Sequence, residues 1–445
     1  MRENVKQPPG PPGWMPLRTL LNLYRNPLTA FQSLAREYGD VAVFHIAGQP
    51  VYLLNHPDLV EAILVANSRL ASKRLGTRLM RRLMGGGLIT SYDEEHLQQR
   101  RMLHPVFHRR HLADFSETMV DCARQVRDRW QDGERVEIFE EMTSLTLAVV
   151  GRTLFSTDFE LEAEHIHQAV IVIQNRAHIA NFILGELADK LPLPMAGRTR
   201  RAVERLNASI DRAIAGHRTQ MEQGDLLSLL LAAEDDHGKL NDIQVRDQAM
   251  TIFLAGFETM AVTLTWTWHL LAQHPDIEAR FQAEIDRVLM GRLPTAQDLP
   301  NLKYTRQVLT EVLRLYPPVW VHGRRLAAAC RVGDWELPAG SFVIINHWLL
   351  HHDPRFHTDP ERFDPDRWSE DATTSLPRLA YAPFSAGPRQ CIGEGYAWME
   401  GLLVLATLAQ RWHIQSLPGH SAEMLPAFTL RPRNGMQMTI KRRDG

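Results

Sequence analysis

The sequence predicts a mainly α-helical chain carrying small β-sheets, an α+β organisation built about one long buried helix. Three observations lead there. From Ala249 to Ala272 the chain is apolar with a single formal charge, Glu258. Residues 110–235 carry helical patterning almost throughout, with breaks at Gln131-Asp132-Gly133 and Leu191-Pro192-Leu193-Pro194. The strand-like runs are short and lie outside that helical block.

Taken in order, Pro8-Pro9-Gly10-Pro11-Pro12-Gly13 forms a proline-rich tail. Pro27 to Tyr38 is a short helix. Val41 to Ile46, a Gly48-Gln49-Pro50 turn and Val51 to Leu54 make a β-hairpin. His56-Pro57-Asp58 opens a helix through about Ala66. Residues 72–92 are a basic loop with Lys73, Arg74, Arg78, Arg81, Arg82 and Gly85-Gly86-Gly87. Ser91 and Asp93 are cap residues for a helix beginning near Glu94, which sets His96 and Arg100 on one face. The Arg198-to-Arg205 charge run reads as a solvated helix face.

The helix Ile243–Gln273 is long enough to span a membrane. A carboxylate at its centre and flanks without anchors favour a buried core helix instead. Within it lies Ala255-Gly256-Phe257-Glu258-Thr259. Gly256 weakens the helix, and Thr259 can bond back to the preceding turn; together they widen a helix and admit water. Further on, Glu311 and Arg314 stand one turn apart on a helix ended by Pro317-Pro318. Val319 to Val321 is strand-like and precedes Arg324-Arg325. His347, His351 and His352 lack a carboxylate or cysteine at ligand spacing, which argues against a metal site there. Phe428 to Pro432 closes the chain as a hairpin.

Bulk properties exclude several classes. The chain has 445 residues, 44% hydrophobic and 23% charged, an ordinary globular composition. A net charge of −2 offers no basic field for nucleic acid. Cys122, Cys330 and Cys391 are odd in number and far apart, so they form neither a disulfide framework nor a zinc site, and a reducing cytoplasm suits them.

One cysteine stands in chemically specific surroundings: Pro383-Phe384-Ser385-Ala386-Gly387-Pro388-Arg389-Gln390-Cys391-Ile392-Gly393. The prolines stiffen the loop and Gly387 permits a turn closed to other residues. Gly393 lets a flat group approach the backbone. Arg389 and the N-terminus of the apolar helix that follows, Tyr396 to Trp412, favour a thiolate. The pattern Phe-x-x-Gly-x-Arg-x-Cys-x-Gly arises by chance on the order of once in ten thousand chains of this length.

At this loop the sequence resembles the cytochrome P450 family, and the resemblance runs from Pro8 to about Ile440. It implies a single domain over 1–445, a triangular prism with haem b (iron protoporphyrin IX) between the long central helix and the cysteine-bearing helix. Cys391 would ligate the iron, with Phe384 beside the sulfur. His96, Arg100, Arg389 and one of Arg324 and Arg325 would meet the propionates; counting back from Pro338-Ala339-Gly340 favours Arg324. Gly393 and Ala255 would lie against the macrocycle. Glu258 and Thr259 match the family's oxygen-activation pair, although Phe257 and Met260 are not its commonest residues. Glu311 and Arg314 would be completed as a structural triad by Arg367, preferred over Arg362 on its spacing to Cys391.

The resemblance also implies a monooxygenase acting on a hydrophobic small molecule. Phe257, Ala255, Val319, Val321 and Phe428 would line its pocket, with residues 72–92 and Asn175 to Leu187 facing the substrate. Val319-Trp320-Val321-His322-Gly323-Arg324-Arg325 is similar to members that oxidise terpenoids or carotenoids, with fatty acids a close rival. Only seven residues precede the proline-rich tail, and they include Arg2, Glu3 and Lys6, so no transmembrane anchor fits there and a cytoplasmic enzyme is expected. Some fifty residues follow Cys391, too few for a fused electron-transfer domain. A separate ferredoxin or flavodoxin with its reductase is implied, and Arg101, His104, Arg109 and Arg110 suit an acidic donor. A monomer is expected. A haem-thiolate sensor is the alternative; it would need a second axial ligand and a reader module, and no helix-turn-helix or basic tail is evident.

Overall fold

The computed structural model describes residues 7–12, 16–46, 48–72, 80–81, 84–159, 163–176, 197–219, 225–232, 234–235, 238–369, 376–417, 419 and 422–443. The break at Leu191–Pro194, the segment 177–187, and Lys73, Arg74, Arg78 and Arg82 lie outside them.

The central helix runs from Asp242 to Gln273. Its start is a reciprocal cap: Gln244 N donates to Asn241 Oδ1 at 3.0 Å and Asn241 N donates to Gln244 Oε1 at 2.9 Å. Its end is fixed by Pro275, which opens the next helix, Pro275–Leu289. It is the one described helix long and apolar enough to cross a membrane, and 83% of its most apolar window is buried inside the protein. Its apolar composition is therefore met by protein neighbours, chiefly helix Ile138–Leu154, with Lys303–Leu315 and Glu394–Ala409 alongside.

The cysteine-bearing helix ends at Ala409, short of the expected Trp412. Trp412–Ser416 instead forms a strand against Gln437–Arg442, which in turn pairs with Arg135–Glu137. Trp412 is fully buried and its Nε1 donates to Arg127 O at 2.6 Å. An apolar run serves a helix and a buried strand equally, which is why the helix was read too long.

A five-stranded sheet joins distant parts of the chain in the order Val41–Ile46, Gln49–Leu54, Phe342–Asn346, Val321–Leu326, Ala71–Ser72. The first two strands are the predicted hairpin, with Phe44 opposite Val51; Phe342 then pairs with Val51 in parallel. The strand expected at Val319 begins only at Val321, and Val319 is exposed.

One local reading is corrected. Tyr92 is the N-cap of helix Asp93–Leu103, and its side chain makes no capping bond. Ser91 Oγ donates to Leu88 O at 3.2 Å, and Asp93 accepts from Ser72 Oγ at 2.8 Å, so these residues tie down the preceding loop rather than cap the helix. The helix opening at Pro57 is α-helical to Glu61 and then widens into a π turn over Ala62–Ala66, with Asn67 N donating to Ala62 O at 2.9 Å.

Candidate functional site

The Cys391 loop is closed by its own backbone: Cys391 N donates to Phe384 O at 2.9 Å. Gly387 has φ +71°, and a Cβ there would overlap the Leu64 carbonyl of the π turn. Conformation and close approach both require glycine. At Gly393, by contrast, a Cβ would meet Phe107 at 3.8 Å and the Cys391 sulfur at 4.0 Å, ordinary contacts, so no protein neighbour demands a glycine there. The Phe384 ring lies 5.8 Å from Trp398, over which the Arg306 guanidinium sits at 4.2 Å.

Cys391 lies deep in the protein, yet its side chain carries accessible surface. Burial pushes its thiol up to about 11; the Gly393 N–H and the Arg100 charge pull the other way, and Glu394 adds to the rise. The expected thiolate bias from Arg389 and the helix N-terminus is thus corrected. Burial outweighs it, and the cation felt at the sulfur is Arg100. A metal ion would take the sulfur as thiolate whatever its free pKa.

Three arginines gather at this loop. Arg100 Nη1 donates to Gln390 O and Arg389 Nη1 donates to Ser91 O, each at 2.7 Å. Arg324 is buried, and its Nη1 reaches only Gly323 O at 3.0 Å; no carboxylate pairs with it among the described residues. Burial and the neighbouring Arg389 bring Arg324 down to about 9. Burial brings Arg389 down to about 10, with Asp93 and Glu95 supporting its charge and Arg100 opposing it. Arg325 faces the other way, stacked 5.0 Å from the Phe342 ring. His96 is buried on the helix that carries Arg100. Arg101 and His104 are exposed, while the side chains of Arg109 and Arg110 lie outside the described set.

Between Gln248 and Leu271 of the central helix, only Ala255, Gly256 and Thr259 are not buried. Ala255 and Thr259, four apart, share a face. Thr259 Oγ1 donates to Ala255 O at 2.8 Å. Gly256 does not widen the helix, which is α-helical throughout; a Cβ there would press on Val150 Cγ2 at 2.9 Å, so this glycine lets the central helix approach Ile138–Leu154. Phe257 is also corrected. It is fully buried, with its ring 5.4 Å from Phe253 in an aromatic cluster that includes Phe155 and Phe159, and it presents no accessible surface to a substrate. Glu258 is buried and accepts from Thr429 Oγ1 at 2.8 Å.

The terminal hairpin pairs Met424–Pro426 with Leu430–Pro432, so its tip is Ala427-Phe428-Thr429. Phe428 is half-buried against the main core, and Val321 packs on the smaller core beneath the sheet. Away from the loop, Arg314 donates to Glu311 through Nε at 2.8 Å and Nη2 at 2.7 Å, Arg367 Nε reaches Glu311 Oε1 at 3.4 Å, and Arg362 contributes only its carbonyl, to Arg314. Trp368 Nε1 also donates to Glu311, at 2.7 Å. Among the described residues no group of three or more His, Cys, Asp or Glu is placed to hold a metal ion. His347 is hydrogen-bonded to His322 at 3.1 Å, and burial with the Arg324 charge holds it near 4.

Thr429 and Arg431 were missed in the sequence, although two polar residues in an otherwise apolar tip were the available signal. Arg431 is buried; burial disfavours its charge and Glu258 supports it.

These residues fit a haem. A cysteine with accessible surface inside the protein, mutually repelling arginines of which Arg324 is buried, and a small-residue patch on the central helix match its iron, its two carboxylates and its flat face.

Comparison with known proteins gives the same picture. The family model "Cytochrome P450" matches residues 8–440. Cyclooctat-9-en-7-ol 5-monooxygenase of Streptomyces melanosporofaciens is 39% identical over 413 residues, 92% of this chain and 90% of that protein. Pentalenene oxygenase of Streptomyces avermitilis is 36% identical over 400 residues, 89% and 88% of the two chains. Among solved structures, retinoic acid bound cyanobacterial CYP120A1 superposes with a TM-score of 0.87 at 26% identity, covering 99% of this chain and all of that one.

Proposed function

Because this chain belongs to the cytochrome P450 family, we propose that it is a haem-thiolate monooxygenase inserting one oxygen atom into a terpenoid. The observation that carries the reading is Cys391, enclosed yet accessible, with the Arg100 charge acting on its sulfur and Arg389 and Arg324 further along the same arginine cluster. The terpenoid class is supported by the names of the two Streptomyces relatives, a monooxygenase of a cyclic alkenol and an oxygenase of an alkene. Carotenoids and fatty acids are the competing classes. The enzyme works in the cytoplasm with a separate ferredoxin or flavodoxin and its reductase.

Bound haem would supply activation of dioxygen and insertion of one of its atoms into a C–H or C=C bond, the other leaving as water with two electrons from the donor and two protons. The chain supplies the rest. Cys391 would hold the iron. Arg100, Arg324, Arg389 and His96 would meet the propionates, whose charges would turn the otherwise costly arginine cluster into a binding site. Thr259 gives its own proton to Ala255 O, which leaves its oxygen free to accept one at the site. Glu258 is the carboxyl that holds and passes protons. The buried central helix keeps bulk water out.

The test is the spectrum of the dithionite-reduced protein under carbon monoxide, with Cys391→Ser alongside. A strongly red-shifted Soret band, lost in the variant, is expected. An unshifted band from correctly folded protein overturns the thiolate reading. Spin-state titrations with a terpene alcohol, a carotenoid and a fatty acid then test the substrate class, with the terpenoid expected to respond.

A further inference from the structure

We infer that Thr429 is a positioning residue for Glu258, holding the carboxyl toward the terminal hairpin so that contact at the hairpin tip governs its availability to Thr259. This rests on the monooxygenase reading and goes beyond it by naming what controls the acid. Glu258 and Thr259 are neighbours on one helix, so their side chains leave it about 100° apart. Thr259 faces the accessible patch with Ala255. Glu258 faces the hairpin, where the Thr429 hydroxyl donates to its Oε1 at 2.8 Å; Thr429 is fully buried and Glu258 nearly so. Arg431, two residues on in the strand that follows the tip, is the charged group facing Glu258 from this hairpin.

The hairpin is anchored on both sides of Thr429. Trp320 Nε1 donates to Ala427 O at 2.9 Å, Trp266 Nε1 donates to Leu430 O at 2.8 Å, and Leu430 N donates to Pro318 O at 3.0 Å. Between the anchors only Phe428 keeps accessible surface. A ligand pressing on Phe428 therefore acts one residue from the hydroxyl that holds the acid, while the anchors keep the rest of the hairpin still. Trp266 belongs to the central helix itself, so the tip and the acid share a frame.

The experiment compares wild type, Thr429→Val and Thr429→Ser. Two quantities are read: product formed per electron pair, and the position of the Glu258 carboxyl infrared band, assigned by its loss in Glu258→Gln. A hydroxyl that donates to a carboxyl oxygen displaces its stretching band, so the band is expected to move in Thr429→Val and to stay in place in Thr429→Ser. Product per electron pair is expected to fall about fivefold in Thr429→Val, with peroxide rising, while Thr429→Ser stays within about twofold of wild type. An unmoved band in Thr429→Val, or equal loss in the serine variant, overturns the assignment, the second because it would mean packing alone. The infrared band is read with or without haem. A missing thiolate band with a displaced carboxyl band would sink the monooxygenase reading and leave the Thr429–Glu258 coupling standing.

Discussion

Glu311 and Arg314 face each other one helical turn apart with neither side chain exposed, and every polar contact of the pair is made inside the protein. Arg314 also donates to His351 O, Pro360 O and Arg362 O. A buried ion pair of this kind adds little net stability against an apolar pair, but breaking it strands a charge. Glu311→Gln is expected to cost about 3–5 kcal/mol in urea unfolding. Arg367→Lys, at the longer 3.4 Å contact, is expected to cost about 1 kcal/mol.

Arg324 and Arg389 repel each other in the haem-free protein. Arg324→Leu should therefore stabilise the haem-free fold, by about 1–2 kcal/mol, while speeding haem loss about tenfold. Unfolding of haem-free protein and haem transfer to excess apomyoglobin measure the two effects. Arg325→Leu, which removes a contact with Phe342, should leave haem transfer near wild type.

Glu400, on the cysteine-bearing helix, is fully buried, and neither carboxyl oxygen meets a hydrogen-bond partner among the described residues. Burial holds its pKa well above the ordinary 4.5. Below 4.5 the group is protonated in both folded and unfolded chains and pH has no leverage. Above it the unfolded chain ionises first, and stability falls as pH rises toward the folded pKa. Glu400→Gln should remove this dependence. Its stability relative to wild type is expected to grow by about 1.4 kcal/mol per pH unit above 4.5, read from urea melts at pH 5, 6.5 and 8.

Gly387 and Gly393 flank the same cysteine with opposite tolerances. Gly387→Ala meets a left-handed backbone and the Leu64 carbonyl, and is expected to cost about 3 kcal/mol. Gly393→Ala has room among protein atoms and should change haem-free stability by less than about 1 kcal/mol. Its effect is expected in haem retention, measured by the same transfer assay.

Local patterns were legible. Pro27–Tyr38, the Val41–Leu54 hairpin and the central helix lie where propensity, turn residues and apolar length put them. Facing was not legible where a helix is apolar all round: nothing in the letters says that Gly256 and Phe257 turn toward Ile138–Leu154 while Ala255 and Thr259 turn away. Charge was misassigned for a related reason. Arg389 is near Cys391 in sequence, but Arg100 is the cation felt at the sulfur. The Glu258–Thr429 bond spans 171 residues, and no periodicity encodes such a partner.

The five-stranded sheet has a consequence for synthesis. Gln49–Leu54 waits for Phe342–Asn346, roughly 290 residues later, before its second edge is covered. At ribosomal speeds that is about 15–60 s during which the hairpin emerges with an open edge. Such an edge can pair with another nascent chain. Yield of this protein should therefore respond to expression rate and chaperone supply more than to the stability of the finished fold.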